Sequence, residues 1–130
     1  MRMRRRFQSY GLRVLLILKI IREALTLDEL KQLASAPFEN MVKAVVDIER
    51  AVFAIHAELH SDLEALLLQD GSKQKDLWGI NLYPEMPGDE FIEFDSMINM
   101  RPSQGNRSRG VEDKEIRTQI TEIVSKKIKR

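Results

Sequence analysis

The chain has no cysteine, only two histidines and a single tryptophan. Without cysteine there can be no disulfide, no thiolate metal site and no cysteine nucleophile, and the composition fits a reducing cytoplasm. A long apolar run is also missing. The densest one near the start, Val14 to Leu18, is cut short by Lys19, too early for a membrane span. It is equally too short for a secretory leader, and no small-residue cleavage site follows it. No Walker loop, dinucleotide fingerprint or HExxH pair is present, and no nucleophile elbow surrounds Ser61. Internal repeats and low-complexity segments are absent as well.

What the chain does have is charge, arranged unevenly. Residues 1–22 hold seven Arg or Lys and no acid, residues 23–99 hold five bases against sixteen acids, and residues 100–130 hold nine bases against four acids. The overall charge of +1 therefore hides an acidic body between basic ends. A nucleic-acid binder needs its positive field on the folded surface, so nucleic acid is not an expected partner. Residues 1–13 read as a basic extension running into the domain at 14–130, and their acid-free composition also fits a mitochondrial presequence. At 130 residues the chain is long enough for one domain with its own core.

The pattern along that domain predicts strand, helix, hairpin, helix, hairpin, helix. Leu15 to Ile21 is a dense run rich in β-branched residues and reads as a buried strand. Thr26 and Glu29 form a capping box, opening a helix with Leu27, Leu30, Leu33 and Ala34 inward and Pro37 as its stop. The segment from Val42 to Leu59 reads as a hairpin turning at Glu49 and Arg50, with Val46 opposite Phe53, Ala44 opposite Ile55 and Val42 opposite Ala57. Its second strand would present His56, Glu58 and His60 on one face. Ser61 and Glu64 form a second capping box, and Asp70-Gly71 ends the helix that Leu63, Leu66 and Leu67 bury. Leu77 to Tyr83 and Glu90 to Met100 then pair as strands, with Trp78, Ile80 and Leu82 on one face. The last helix begins near Asp113 and carries Ile116, Ile120, Ile123, Val124 and Ile128 as a stripe. The expectation is an α+β fold, a single mixed sheet of about five strands with three helices mainly on one face.

Two passages, Leu59 to Glu85 and Phe91 to Asp113, resemble a family of small, mainly prokaryotic proteins classed as a domain of unknown function. The likeness runs from about Ile17 to Ile128. It rests on a His and an acid before a helix, then DGS, LWG and RPxQGNRS segments, here His60, Asp62, Asp70, Gly71, Trp78, Gly79, Arg101, Gln104, Gly105, Asn106 and Arg107. His56 departs from that pattern, where a small residue is usual. The resemblance implies no activity and no cofactor.

Three functions follow as expectations. The first is a binding or interaction module with an anion-binding cleft formed by Arg101, Gln104, Asn106, Arg107 and Trp78, because guanidinium groups grip phosphate or carboxylate bidentately and glycine-bearing loops turn N–H groups outward. Its plainer counterpart is that the arginines neutralise the acidic body and Trp78 belongs to the core. The second is a small hydrolase acting on a phosphate-containing substrate, with His60 and Asp62 as acid–base residues and Arg101 or Arg107 holding the anion. The third is a structural homodimer built on an open sheet face. His56, Glu58 and His60 have the ligand types of a metal site, but a solvated strand face explains them as well, and no metal is expected.

Overall fold

In the computed structural model, residues 18–34 and 40–130 are described. The basic extension 1–13, the first part of the expected strand and Pro37 lie outside them. The elements run β1 Lys19–Ile21, β2 Leu25–Thr26, α1 Leu27–Ala34, β3 Val42–Asp47, β4 Val52–Ile55, α2 His60–Gln69, β5 Leu77–Leu82, β6 Ile92–Glu93, α3 Lys114–Lys127 and β7 Ile128–Lys129. Five strands form one sheet in the order β1-β4-β3-β5-β6, and every neighbouring pair is antiparallel. The parallel pairing is confined to a separate ribbon of β2 and β7. This is the expected α+β class, with the five-stranded sheet antiparallel throughout where a mixed one is expected. No helix among the described residues is long and apolar enough to cross a membrane.

The sheet is covered on both faces, two helices to one. Ala44, Val46, Phe53, Ile55, Trp78, Ile80 and Leu82 form one core with Leu30 and Ala34 of α1 and Ile120 and Val124 of α3. On the reverse face Val45, Val52, Ala54 and Leu77 meet Leu63 and Leu67 of α2. Side chains alternate between faces along a strand, which is why neighbouring residues such as Val45 and Val46 belong to different cores. Strand β3 is central and buried on both sides, so its sequence VKAVVD reads almost continuously apolar.

The hairpin register is the expected one: Ala44 pairs with Ile55 and Val46 with Phe53. The turn contains no glycine, and Ala51 takes the left-handed conformation itself at φ 56°. Asp47 makes that turn possible. Its carboxylate, wholly buried, accepts the N–H groups of Glu49 and Arg50 at 2.9 Å through Oδ1. Its Oδ2 accepts the Ser72 hydroxyl at 2.6 Å. Arg50 donates to Ser72 and to Asp70, and Arg22 donates to Asp70. The Asp70-Gly71-Ser72 segment thus ties the hairpin turn to the end of α2. Gly71 sits at φ 106°, and the Ser72 N–H reaches back to Leu67 O while the Gly71 N–H reaches Leu68 O, the paired bonds of a Schellman ending.

Two expected elements are corrected. Strand β4 stops at Ile55, and His56 adopts φ 78°, so Val42 does not pair with Ala57 and no strand face aligns His56, Glu58 and His60. The apparent alternation failed as a signal because Leu59 is 57% exposed and belongs to no apolar face. Helix α2 begins at His60 with Leu59 as its N-cap and no side-chain cap. Ser61 is therefore inside the helix, and the second capping box does not form. The first one does: Thr26 and Glu29 bond reciprocally at 2.9 and 3.0 Å. The other correction concerns Glu90 to Met100, where only Ile92–Glu93 is strand. Beyond it the side chain of Asn99 replaces the ladder, accepting from Gly79 N at 2.8 Å and donating to Gly79 O at 3.0 Å. A primary amide offers the same donor and acceptor as a peptide group, so one side chain does the work of a strand residue.

Candidate functional site

The expected site residues fall into two places. His60 lies on the α2 side of the sheet, where the missing Cβ of Gly79 lets Ser96 and the edge of the imidazole approach the strand. The ring donates Nε2–H to the carbonyl of Ile80 at 2.8 Å; a carbonyl can only accept, which fixes the neutral tautomer. Burial pushes the His60 pKa down, only partly opposed by that bond. Asp62 is exposed on α2, and no hydrogen bond or ion pair joins it to His60. Among the described residues no three His, Asp or Glu side chains converge as a metal site requires.

Trp78, Gln104 and Asn106 come together elsewhere, on the face that α3 covers. With Lys75, Gly105, Glu112, Asp113 and Ile116 they line a groove of about 340 Å³, within the size range of small-molecule sites. The loop that builds it is held by its own side chains. Arg101 and Asn106 bridge through their backbones at 2.8 and 3.2 Å, and Gly105 between them sits at φ 85°, a left-handed turn that glycine adopts without a Cβ penalty. Asn106 is buried and donates its amide to the carbonyls of Asn99, Ser108 and Gly110. Its Oδ1 accepts the N–H of Glu112 at 2.8 Å. Asn106 is thus the hub that fixes the loop against the start of α3, whose N-cap is Asp113.

Arg101 does not reach the groove as an open cation. Its guanidinium donates to the carbonyls of Gln74 and Leu77 and stacks on the Trp78 ring, 4.3 Å from the centroid. Burial lowers its pKa, and the carbonyl dipoles and stacking satisfy its charge. Arg109 is paired with Asp95 at 2.6 Å. Arg107 is exposed; its backbone N–H, and not its guanidinium, makes the bond to Glu112. The three loop arginines therefore do not converge.

One polar group of a groove-lining residue is left over. Trp78 is only 3% exposed, yet its indole N–H has no hydrogen-bond partner, one of three such buried atoms among the described residues together with Arg101 Nε and Asn81 Oδ1. A buried donor without an acceptor costs about 1–3 kcal/mol and calls for an explanation. Two further concavities, of about 420 and 390 Å³, lie along the exposed side of α3 and enclose no such group. Glu112, Asp113 and Ile116 were not legible as site residues, because their approach to Trp78 depends on how α3 packs against the sheet; Lys75 lies in the turn just before β5. Asn99, which holds Gly79, gave no periodic signal either.

No curated protein and no solved structure shows significant similarity to the chain. A family model described as "Protein of unknown function (DUF5674)" matches residues 19–127, which spans every described strand and helix except β7. On that match the chain belongs to this family of unknown function.

Proposed function

We propose that the protein is a small-ligand binding module whose site is the groove beside Trp78, and that its ligand presents an anionic oxygen. The observation that carries this reading is that Trp78, a residue lining the groove, has a buried indole N–H without a partner. A ligand oxygen reaching that N–H would supply the missing acceptor, and Gln104 on the same lining offers a further donor, whereas the Lys75 ammonium is already paired with Asp76 at 3.0 Å. Gln104 is held only by a 3.3 Å bond to the Lys75 carbonyl, so its amide can turn toward a ligand at little cost. A cytoplasmic setting is part of the proposal, supported by the cysteine-free composition. The hydrolase alternative gains no support, since no bond joins Asp62 to His60 and the Arg101 guanidinium is engaged by the Gln74 and Leu77 carbonyls.

A thermal-shift titration of the full chain with inorganic phosphate, acetate, citrate and free amino acids tests this. A ligand at about 100 times its Kd stabilises the folded state by roughly 2.7 kcal/mol. Trp78→Phe, which keeps the ring and removes the N–H, should weaken that ligand about tenfold, the value of one hydrogen bond of about 1.4 kcal/mol. Equal binding by wild type and Trp78→Phe would remove the groove from consideration.

A further inference from the structure

The start of α2 hangs on one hydrogen bond. Strand β4 ends at Ile55 and α2 starts at His60, so residues 56–59 form the entry to the helix. His56 takes φ 78° there, a left-handed conformation that residues with a Cβ rarely adopt. Glu58 and Leu59 are exposed, and Leu59 caps the helix without a side-chain bond. Among the described residues, the one hydrogen bond from residues 57–62 to another element runs from His60 Nε2 to the Ile80 carbonyl at 2.8 Å. The Asp62 N–H stays within the segment, on Leu59 O, and of these residues Ala57 alone is buried. The far end of α2 is fastened separately, by Leu67 in the core and by Arg22 and Arg50 on Asp70.

The half-buried ring turns one edge to the strand: Cδ2 lies 3.2 Å from where a Cβ on Gly79 would stand. Nδ1 is opposite the Nε2–Cδ2 edge of an imidazole, so it points away from β5, and it makes no hydrogen bond to a described residue. A proton taken up there creates a cation in the first turn of a helix, where the backbone already presents partial positive charge. The charged neighbours do not compensate. Lys43 of β3 and Arg109 of the following loop repel the cation, while Asp95, just after β6, attracts it but is already paired with Arg109 at 2.6 Å. Glu58 and Asp62, on the same segment, are exposed and make no bond to the ring. We infer that His60 is a pH-sensitive latch, which when neutral holds the first turn of α2 on β5 and when protonated releases residues 56–62 while the rest of α2 stays docked. Release bares the Ile80 carbonyl and the β5 backbone at Gly79. Burial above all disfavours the charged ring in the latched form, so that form takes up the proton less readily than the open one and acidification favours opening. Below the ordinary histidine value of 6.5 the open population rises by up to about tenfold per pH unit while the latched ring stays neutral.

Native-state hydrogen exchange on the full-length protein tests the latch, read as protection factors so that the intrinsic pH dependence of exchange is removed. Between about pH 7.5 and about pH 5 the N–H groups of Leu63, Glu64 and Ala65, at the start of α2, should lose protection by up to about thirtyfold. Those of Val45 and Val46, at the centre of the sheet, should keep theirs. His60→Gln retains an Nε2–H donor for the Ile80 carbonyl and has no proton to take up, so its first-turn amides should be protected equally at both pH values. No loss in the wild type, a loss shared equally by Val45 and Val46, or a loss that persists in His60→Gln overturns the latch. The ring 15N shifts of the wild-type protein give a second readout that needs no variant. They should show the Nε2-protonated tautomer titrating with a midpoint below 6.5, and a midpoint at or above the ordinary value of 6.5 overturns the latch.

Discussion

Gly79→Ala is the substitution whose outcome the geometry decides most sharply. In a strand, alanine at a position of ordinary backbone conformation would by itself stabilise slightly, by about 0.4–1 kcal/mol, because it restricts the unfolded chain. Here a Cβ on residue 79 would lie 2.5 Å from Ser96 Cβ, 2.6 Å from Ser96 Oγ and 3.2 Å from His60 Cδ2. Ser96 is 1% exposed and is pinned on both sides: its N–H bonds to the Arg109 carbonyl at 3.0 Å, and its hydroxyl accepts the N–H of Ile98 at 3.2 Å. It cannot swing away without breaking the turn that delivers Asn99 to Gly79. Overpacking of this kind costs about 1–3 kcal/mol, and a net loss of about 2 kcal/mol lowers the melting temperature of a domain this size by about 7 °C. Ser96→Gly alone should cost about 1 kcal/mol through the lost hydroxyl acceptor. Combined with Gly79→Ala it removes both clashing atoms, so urea denaturation should give a double variant more stable than the sum of the single losses by at least about 1 kcal/mol. Strict additivity, or a Gly79→Ala protein as stable as wild type, would refute the close approach of β5 and the Ser96 turn.

Arg101→Ala should cost about 2–4 kcal/mol by the same assay, since it leaves two carbonyls short of a donor and removes the stack on Trp78; a loss under about 0.5 kcal/mol would mean that the guanidinium is an ordinary surface charge. Hydrogen bonds from Arg22 and then Arg50, with the charges of both, hold the Asp70 carboxyl down to about 2 from its ordinary 3.8. A depressed carboxylate pKa means that the unfolded chain binds the proton first, so this contribution is complete above about pH 4 and is lost as the pH falls toward 2. Asp70→Asn should therefore flatten the stability profile between those limits, and an unchanged acid limb would contradict the ion pair. His60 behaves in the same direction at higher pH, because burial lowers its pKa below 6.5. Stability should fall as the solution is acidified below about pH 6.5, and His60→Gln should lose less than wild type over that range; a wild type that becomes more stable there would reverse the assignment of a neutral ring.

Where neighbours in sequence determine structure, the sequence was readable. The hairpin register, the Thr26–Glu29 cap, the Gly71 ending and the start of α3 at Asp113 all depend on contacts within a few residues, and each appears as expected. The core assignment of Trp78, Ile80 and Leu82 followed from strand alternation and holds as well. The errors arose where distant side chains replace backbone partners. Asn99 looked like one more polar residue on a long strand, whereas its amide completes the edge of β5 from a helical turn. Ser61 has the right spacing to Glu64 for a cap, but the chain enters α2 two residues earlier, with Leu59 as the N-cap. The arginines of the RPSQGNRSRG segment invited an anion cluster from composition alone, and their different partners, two carbonyls for Arg101 and Asp95 for Arg109, are set by tertiary packing.

The central claim, that a ligand acceptor meets the buried indole of Trp78, has a direct readout in the single indole N–H resonance that one tryptophan gives. In a 15N-labelled sample, adding the ligand that most raises the melting temperature should move that resonance downfield and slow its exchange with water, as a new hydrogen bond requires. A ligand that stabilises the protein while leaving the indole resonance in place, and shifting the amides around His60 instead, would contradict the account and move the site to the other face of the sheet.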